Sequence, residues 1–325
     1  MSQSRKHPTL GVILAISSTL LFGLNASTTK VLIDSGISAE QLTLMRSGAV
    51  ALLAGLALAV TSPKSFKITW REVPFFAVFG VVGVGLMQWA YSNAVANLQV
   101  GVALLIEYTA IVIVPIATYL LFKEKVRGRI WIAVALVLGG LAIVAKPWST
   151  GLNPEGVTYG FMAAVFLSAY FIMGERVQRK RDALSTMFYA FSVASIFWAI
   201  TMSFQQVTPI DFSRSLNLTE NLSAINLPTW GLLLFVMLFG SFVPMLLTFS
   251  AMRHLSASAV GIASTSETVF AFVFGYLWLS QLIDLSQAIG GALVIIGIVV
   301  AQTARSNTGN SKIREASIEK KDAND

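Results

Sequence analysis

The chain has no cysteine and only two histidines, His7 and His254. The first absence excludes disulfides, thiol catalysis and cysteine-ligated metal centres, and the second leaves too few imidazoles for a histidine cluster. Charge is scarce as well. Lys, Arg, Asp and Glu supply 12% of 325 residues, about half the share usual in a soluble chain. Apolar residues reach 55% and mean hydropathy is +0.72. A disordered or collagen-like chain is excluded by these figures, and a water-soluble globule would have nowhere to hide so much apolar surface. Nor does a phosphate-binding glycine loop occur, so nothing points to a nucleotide-driven pump. The composition is that of an all-α integral membrane protein, with no cofactor or metal expected.

What is present is a series of long apolar runs. A membrane-crossing helix takes about 20 mainly apolar residues, and ten such stretches can be read: Thr9–Ile33, Glu40–Val60, Val73–Ala96, Gln99–Phe122, Ile130–Ala145, Val157–Met173, Leu184–Phe204, Thr229–Met252, Ser256–Leu279 and Leu285–Ala304. They lack the strict alternation of barrel strands. The first run is too long for a signal peptide's apolar core of ~7–15 residues, so it reads as an uncleaved helix.

The basic residues orient the bundle. With the N-terminus in the cytoplasm, Lys30, Lys146 and Arg214 fall outside and Arg46 lies within helix 2. The other 19 of the 23 Lys and Arg residues occupy cytoplasmic loops and tails, as the positive-inside rule requires. Both termini are therefore expected in the cytoplasm. Scattered over five loops and tails, these charges form no nucleic-acid surface. Gln205–Pro228 reads as a longer external loop, either a short surface helix or a lid. Its Asn217-Leu-Thr and Asn221-Leu-Ser triplets match a glycosylation pattern too common by chance to carry weight. Residues 306–325 read as a disordered cytoplasmic tail.

The chain also repeats itself. A shift of 157 residues places Gly83 on Gly240, Ala94 on Ala251, Leu98 on Leu255, Tyr119-Leu120 on Tyr276-Leu277, Glu124 on Gln281 and Gly140 on Gly297. A shift of 149 places Gly11, Ala15 and Phe22 on Gly160, Ala164 and Phe171. The halves are 1–148 and 149–305, and each holds five helices. Five is odd, so the second half enters the membrane inverted. Inverted repeats supply two similar arrangements, open to opposite sides, around a site near the midplane.

Three stretches carry a family resemblance. Gln41-Leu-Thr-Leu-Met-Arg46-Ser-Gly, Leu98 through Leu121-Phe-Lys-Glu124, and Glu267-Thr-Val-Phe-Ala-Phe-Val-Phe-Gly275-Tyr-Leu-Trp-Leu resemble the second, fourth and ninth helices of the EamA family of the drug/metabolite transporter superfamily. The likeness runs from about Thr9 to Ala304. Gln281 departs from it, since the family often has Glu there. The resemblance implies export of small metabolites or amino acids; with no organelle presequence read at the N-terminus, a bacterial inner membrane is the expected location.

Ionisable groups at membrane depth cost ~2.5–3.5 kcal/mol or more and call for a reason. Arg46, Glu107 and Glu267 are such groups. Glu107 lies ~14 Å beyond Leu98 and Glu267 ~16 Å beyond Ser256 at 1.5 Å per residue, both near the bilayer centre. They are candidates to bind a proton or a substrate ammonium from opposite halves; the plainer reading is an Arg46–Glu pair holding helices together. Gln88, Trp89, Tyr108 and Ser264 join them as candidate substrate-binding or coupling residues, with Ser and Thr equally suited to bonding between helices. Pro115, Pro244 and the glycines read chiefly as packing. The expected function is a secondary transporter of a small-molecule solute, proton-coupled or passive, in contact with the lipid bilayer. A membrane-embedded enzyme and a non-transporting sensor or scaffold are the alternatives. Oligomeric state is not legible.

Overall fold

The computed structural model describes residues 8–110, 112–113, 128–145, 151–178, 181–205, 208–217, 225–252, 254 and 263–300. Pro115, Glu124, Leu255, Asn221, Arg253 and the 306–325 tail lie outside these residues. The described helices are α1 (Pro8–Asp34), α2 (Ala39–Thr61), α3 (Val73–Asn97), α4 (Val100–Glu107), α5 (Gly128–Ala145), α6 (Pro154–Gln178), α7 (Ala183–Ser203), α8 (229–252), α9 (Ser266–Leu279) and α10 (Leu285–Val300). Six of them, α1–α3 and α6–α8, are long and apolar enough to cross a membrane. Trp131–Val144, α9 and α10 are apolar but shorter.

Local signals set the ends. At the start of α2 the Ser38 hydroxyl accepts from the Gln41 amide (3.2 Å) and the Gln41 side chain accepts from the Ser38 amide (2.9 Å), a reciprocal cap. Asp284 and Gln287 repeat that exchange at α10. Gly36 closes the α1–α2 turn with φ +104°, a conformation that costs glycine no Cβ clash.

The 205–228 segment shows strands and no helix among its described residues. It forms a two-stranded antiparallel hairpin, β1 (Ser215–Asn217) against β2 (Asn226–Pro228). Leu216 packs with Leu32, Ile37, Leu42 and Leu232, so the hairpin is seated on the α1–α2 turn.

The bundle exposes large apolar side chains and buries polar ones within an apolar core. Leu52, Leu56, Leu138, Val165 and Ile196 are each more than half exposed, whereas Ser18, Thr28, Thr43, Arg46, Gln88, Ser92, Glu107 and Thr268 are buried. So much exposed apolar surface suits a lipid surround.

Helix contacts come in matched sets. α1 packs on α8 as α6 packs on α3, α1 on α9 as α6 on α4, and α2 on α8 as α7 on α3; α2 packs on α7 and α4 on α9. Between α5 and α10, a Cβ on Gly140 would lie 2.5 Å from the Gly290 carbonyl, and one on Gly297 would lie 3.0 Å from the Ala133 carbonyl. Gly140 and Gly297 are partners under the 157-residue shift, as are Ala133 and Gly290. Exchanging the two halves therefore maps each crossing onto the other.

Candidate functional site

Two helices break where the ionisable residues sit. α4 runs regularly from Val100 to Glu107 and turns at Tyr108–Thr109; Ala263 and Ser264 are helical, Thr265 is a turn, and α9 begins at Ser266. Tyr108 and Thr265 are 157 residues apart. The local cause is also repeated. The Thr109 hydroxyl donates to the Ile106 carbonyl (2.7 Å) and the Ser266 hydroxyl to the Ala263 carbonyl (2.6 Å), again 157 apart. Such hydroxyls compete with the helix for its own carbonyls.

A hydroxyl from the opposite half holds each break. Thr19 of α1 bonds Ser266 (2.8 Å), and Ser168 of α6 donates to the Ala110 carbonyl (3.4 Å). Thr19 and Ser168 correspond under the 149-residue shift. Helices α3 and α8 add a second irregularity, wide i→i+5 turns at Phe79–Leu86 and Leu238–Phe242. Gly83 and Gly240, partners at shift 157, lie within them. Single-turn widenings of this kind are common at functional sites.

These breaks bring part of the expected set together. The Tyr108 hydroxyl donates to Glu267 Oε2 at 2.6 Å, linking the two broken helices. Tyr108 and Glu107 are 7% and 5% exposed; Glu267 is half-buried. Arg46 and Tyr91 lie within electrostatic reach of both carboxylates. Glu107 is the last residue of a regular helix and Glu267 the second of one. A helix C-terminus favours a neighbouring cation, and an N-terminus favours an anion. Ser264, the repeat counterpart of Glu107, is half-buried three residues before Glu267 and is engaged in an interaction of its own.

Arg46 departs from the paired arrangement. Its Nε donates to the Ser241 hydroxyl at 3.0 Å, and among the described residues no carboxylate lies within ion-pair distance of it. Its Nη1 is buried without a partner, as are Gln88 Oε1, Asn25 Oδ1, Ser92 Oγ and Thr268 Oγ1. Ser241 was not legible as a site residue, because the widened turn that presents it has no signature beyond one Gly-Ser pair in an apolar run.

Among the described residues, Trp89 bonds Glu40 rather than Glu107 or Glu267. Its indole donates to Glu40 at 2.7 Å, at the start of α2, and its ring lies against Tyr159 and Trp198. Gln281, where the expected Glu is missing, accepts from the Val100 amide at 3.1 Å and so caps α4. Ser18 bonds the Pro244 carbonyl and Thr248, joining α1 to α8. Here the plainer reading of helix-bonding hydroxyls holds.

Away from this cluster, Arg181 bonds Glu72 (2.9 Å), Ser185 (2.6 Å) and the carbonyls of Ser65 and Lys67, with its guanidinium over Tyr189. The Arg181 and Thr69 hydrogen bonds hold the Glu72 carboxyl down at about 2, and the same pairing raises Arg181. Two clefts lie away from the glutamates: one against Phe79, Tyr170 and Phe191, the other along Phe161, Val165 and Phe166 of α6.

The profile of the EamA-like transporter family matches residues 9–146 and again 154–303. The chain belongs to the EamA-like transporter family. Like other EamA-like chains with several long apolar helices, it is a multi-pass membrane transporter. It is similar to the pseudopaline exporter CntI of Pseudomonas aeruginosa, 25% identical over 89% of this chain and 94% of that one. Two relatives known only as uncharacterized transporters are 23% identical: one from Archaeoglobus fulgidus, over 71% of this chain and 76% of that one, and one from Clostridium kluyveri, over 82% and 83%. A solved crystal structure, 19% identical, covers 93% of this chain and 100% of its own with a TM-score of 0.56, a likeness of fold alone. The two family matches fall on the two halves whose contacts exchange.

Proposed function

We propose that the protein is a secondary active transporter that exports a small metabolite or amino acid by alternating access. Its ten helices form two inverted five-helix repeats, 1–148 and 149–305, with both termini and the 306–325 tail in the cytoplasm and the bundle in a bacterial inner membrane. The observation that carries this reading is the pair of mirrored breaks in α4 and α9, bridged by Tyr108 and Glu267. Broken helices at a repeat interface leave backbone dipoles and polar side chains to meet a solute in an otherwise apolar bundle. The name of the pseudopaline exporter among the relatives supports the outward direction.

The charges suggest how coupling works. With both glutamates ionised, Arg46, Glu107 and Glu267 carry one net negative charge, and a single proton neutralises them. Carrying net charge across hydrocarbon is costly, so the neutral forms are the ones that reorient. Glu267 is placed to remain anionic at the start of α9. Glu107, at the end of α4, is placed to hold the proton or the solute's ammonium. Gln88, Tyr108 and Ser264 line the same route, and Trp89 stands nearer its outer end.

Comparison of small molecules outside cells with and without the gene tests the reading. At least one solute is expected to rise outside the cells that carry it and to accumulate inside those that lack it. Identical extracellular profiles under varied growth conditions would refute export.

A further inference from the structure

The segment that joins α2 to α3, residues 62–72, has two sides of different chemistry. Phe66 meets the Phe188 ring edge-on at 5.2 Å, and Ile68 packs against the cluster that holds Phe76, Met187 and Phe191. Lys64, Lys67, Trp70 and Arg71 are instead exposed, Trp70 to 89%. Among the described residues, no carboxylate lies within ion-pair distance of any of these cations.

The second half of the chain holds this segment in shape from the inner side. The Arg181 guanidinium donates to the Ser65 and Lys67 carbonyls, the Ser185 hydroxyl to the Ser65 carbonyl and the Tyr189 hydroxyl to the Phe66 carbonyl. Successive carbonyls are thus taken up from below, and the backbone between them is fixed. Glu72, the one acid of the segment, is engaged as well. It accepts from the Thr69 amide and hydroxyl (2.9 and 2.8 Å) and pairs with Arg181 at 2.9 Å. Arg181 therefore offsets Glu72, and the charge of Lys64, Lys67 and Arg71 is left uncompensated on the outer side.

Position decides what such a surface meets. The segment runs from Thr61 to Val73, the ends of two helices long and apolar enough to cross a membrane, so it lies at the level of the lipid headgroups. An exposed indole is favoured at that level, and basic side chains there are drawn to anionic lipid. A surface already fixed from behind also loses little freedom when a ligand settles on it.

We infer that Lys64, Lys67, Trp70 and Arg71 form a docking surface for the headgroups of anionic phospholipids in the inner leaflet. Arg181 is a positioning residue that acts through the segment's backbone and through Glu72. The inference takes only the cytoplasmic placement of this loop from the transport reading.

The test is tryptophan quenching in full-length protein reconstituted into phosphatidylcholine bilayers with a minor share of phosphatidylglycerol, one lipid or the other brominated near its headgroup. The chain has 7 Trp residues, so the Trp70 signal is the difference from Trp70→Phe. Brominated phosphatidylglycerol should quench that signal more than the same mole fraction of brominated phosphatidylcholine, and salt should reduce the preference. Each basic residue near an anionic surface contributes roughly fivefold. Single Gln substitutions at Lys64, Lys67 and Arg71 should therefore lower the preference by up to roughly fivefold each, and the triple variant by roughly tenfold or more. The single variants decide the matter if the triple variant does not fold. Arg181→Gln and Glu72→Gln both break the ion pair, yet only Arg181→Gln should weaken the preference, because it uncovers a carboxylate and frees the carbonyls. Equal quenching by the two brominated lipids, or a preference that the basic-residue variants retain, would overturn the inference. So would a Trp70 quenched by neither lipid, the result expected if an acidic protein segment covers this surface. Solute flux is read separately from the same vesicles, and its absence beside an intact lipid preference would count against the transport reading alone.

Discussion

Adjacent glycines on α5 should respond oppositely to one added methyl group. A Cβ on Gly140 would sit 2.5 Å from the Gly290 carbonyl oxygen, 2.8 Å from Val294 Cγ2 and 2.9 Å from the Val294 amide nitrogen. Two of those three atoms are backbone, so no rotamer change relieves them and the helices must part. Gly139 has nothing within 4 Å of such a Cβ. Overpacking of this kind costs ~1–3 kcal/mol, whereas Gly→Ala in a helix gains up to ~1 kcal/mol. Gly139→Ala is therefore expected to be neutral or stabilising, and Gly140→Ala to lie ~1–3 kcal/mol below it. At roughly 2 °C per kcal/mol for a chain of this size, the two midpoints in detergent should differ by a few degrees. Gly290→Ala should match Gly140→Ala, because its Cβ would meet the Gly140 carbonyl at 2.6 Å. The double variant should cost less than the sum, since both act through one separation. Equal midpoints for Gly139→Ala and Gly140→Ala would refute the close α5–α10 crossing.

Tyr108→Phe removes the 2.6 Å hydroxyl bond to Glu267 and keeps the ring. A hydrogen bond to a charged group is worth ~1.5–3 kcal/mol, so initial flux at low solute concentration should fall roughly ten- to hundredfold with little loss of folded protein, and a change below twofold would remove Tyr108 from the site. Glu72→Gln should lower stability by at most ~1 kcal/mol, because the pair is partly screened by solvent. The deficit has a defined pH window: Glu72 is held near 2 against an ordinary 4.5, so its contribution is complete above 4.5 and fades as the pH falls toward 2. Unfolding midpoints of wild type and variant should converge over that interval, and a constant gap across it would contradict the assigned role of Arg181.

The legible part of this fold was what hydrophobic length and charge position encode. Each of the ten apolar runs contains a helix, and Arg46, Glu107 and Glu267 stood out because charge is so scarce elsewhere. The breaks in α4 and α9 are half visible: Ser264-Thr-Ser-Glu-Thr268 is a polar block in an apolar run, but the hydroxyl-to-carbonyl bonds that end the helix depend on rotamers. Trp89 reads as a candidate site residue from the sequence, but its partner Glu40, 49 residues away, is not legible because only packing of α2 on α3 joins them. An Arg46–Glu pair was a reasonable expectation from charge alone. In the structure Arg46 Nε instead meets Ser241, whose hydroxyl the widened turn of α8 delivers. Gln281 fills its place by capping α4, which needs an acceptor and no charge.

The most direct test of coupled transport at the α4–α9 breaks is solute flux in proteoliposomes with and without an imposed pH gradient, for wild type, Glu107→Gln and Glu267→Gln. The wild type should respond to the gradient, Glu107→Gln should transport without responding to it, and Glu267→Gln should lose most flux. Wild-type flux and gradient dependence in both variants would contradict a role for either carboxylate.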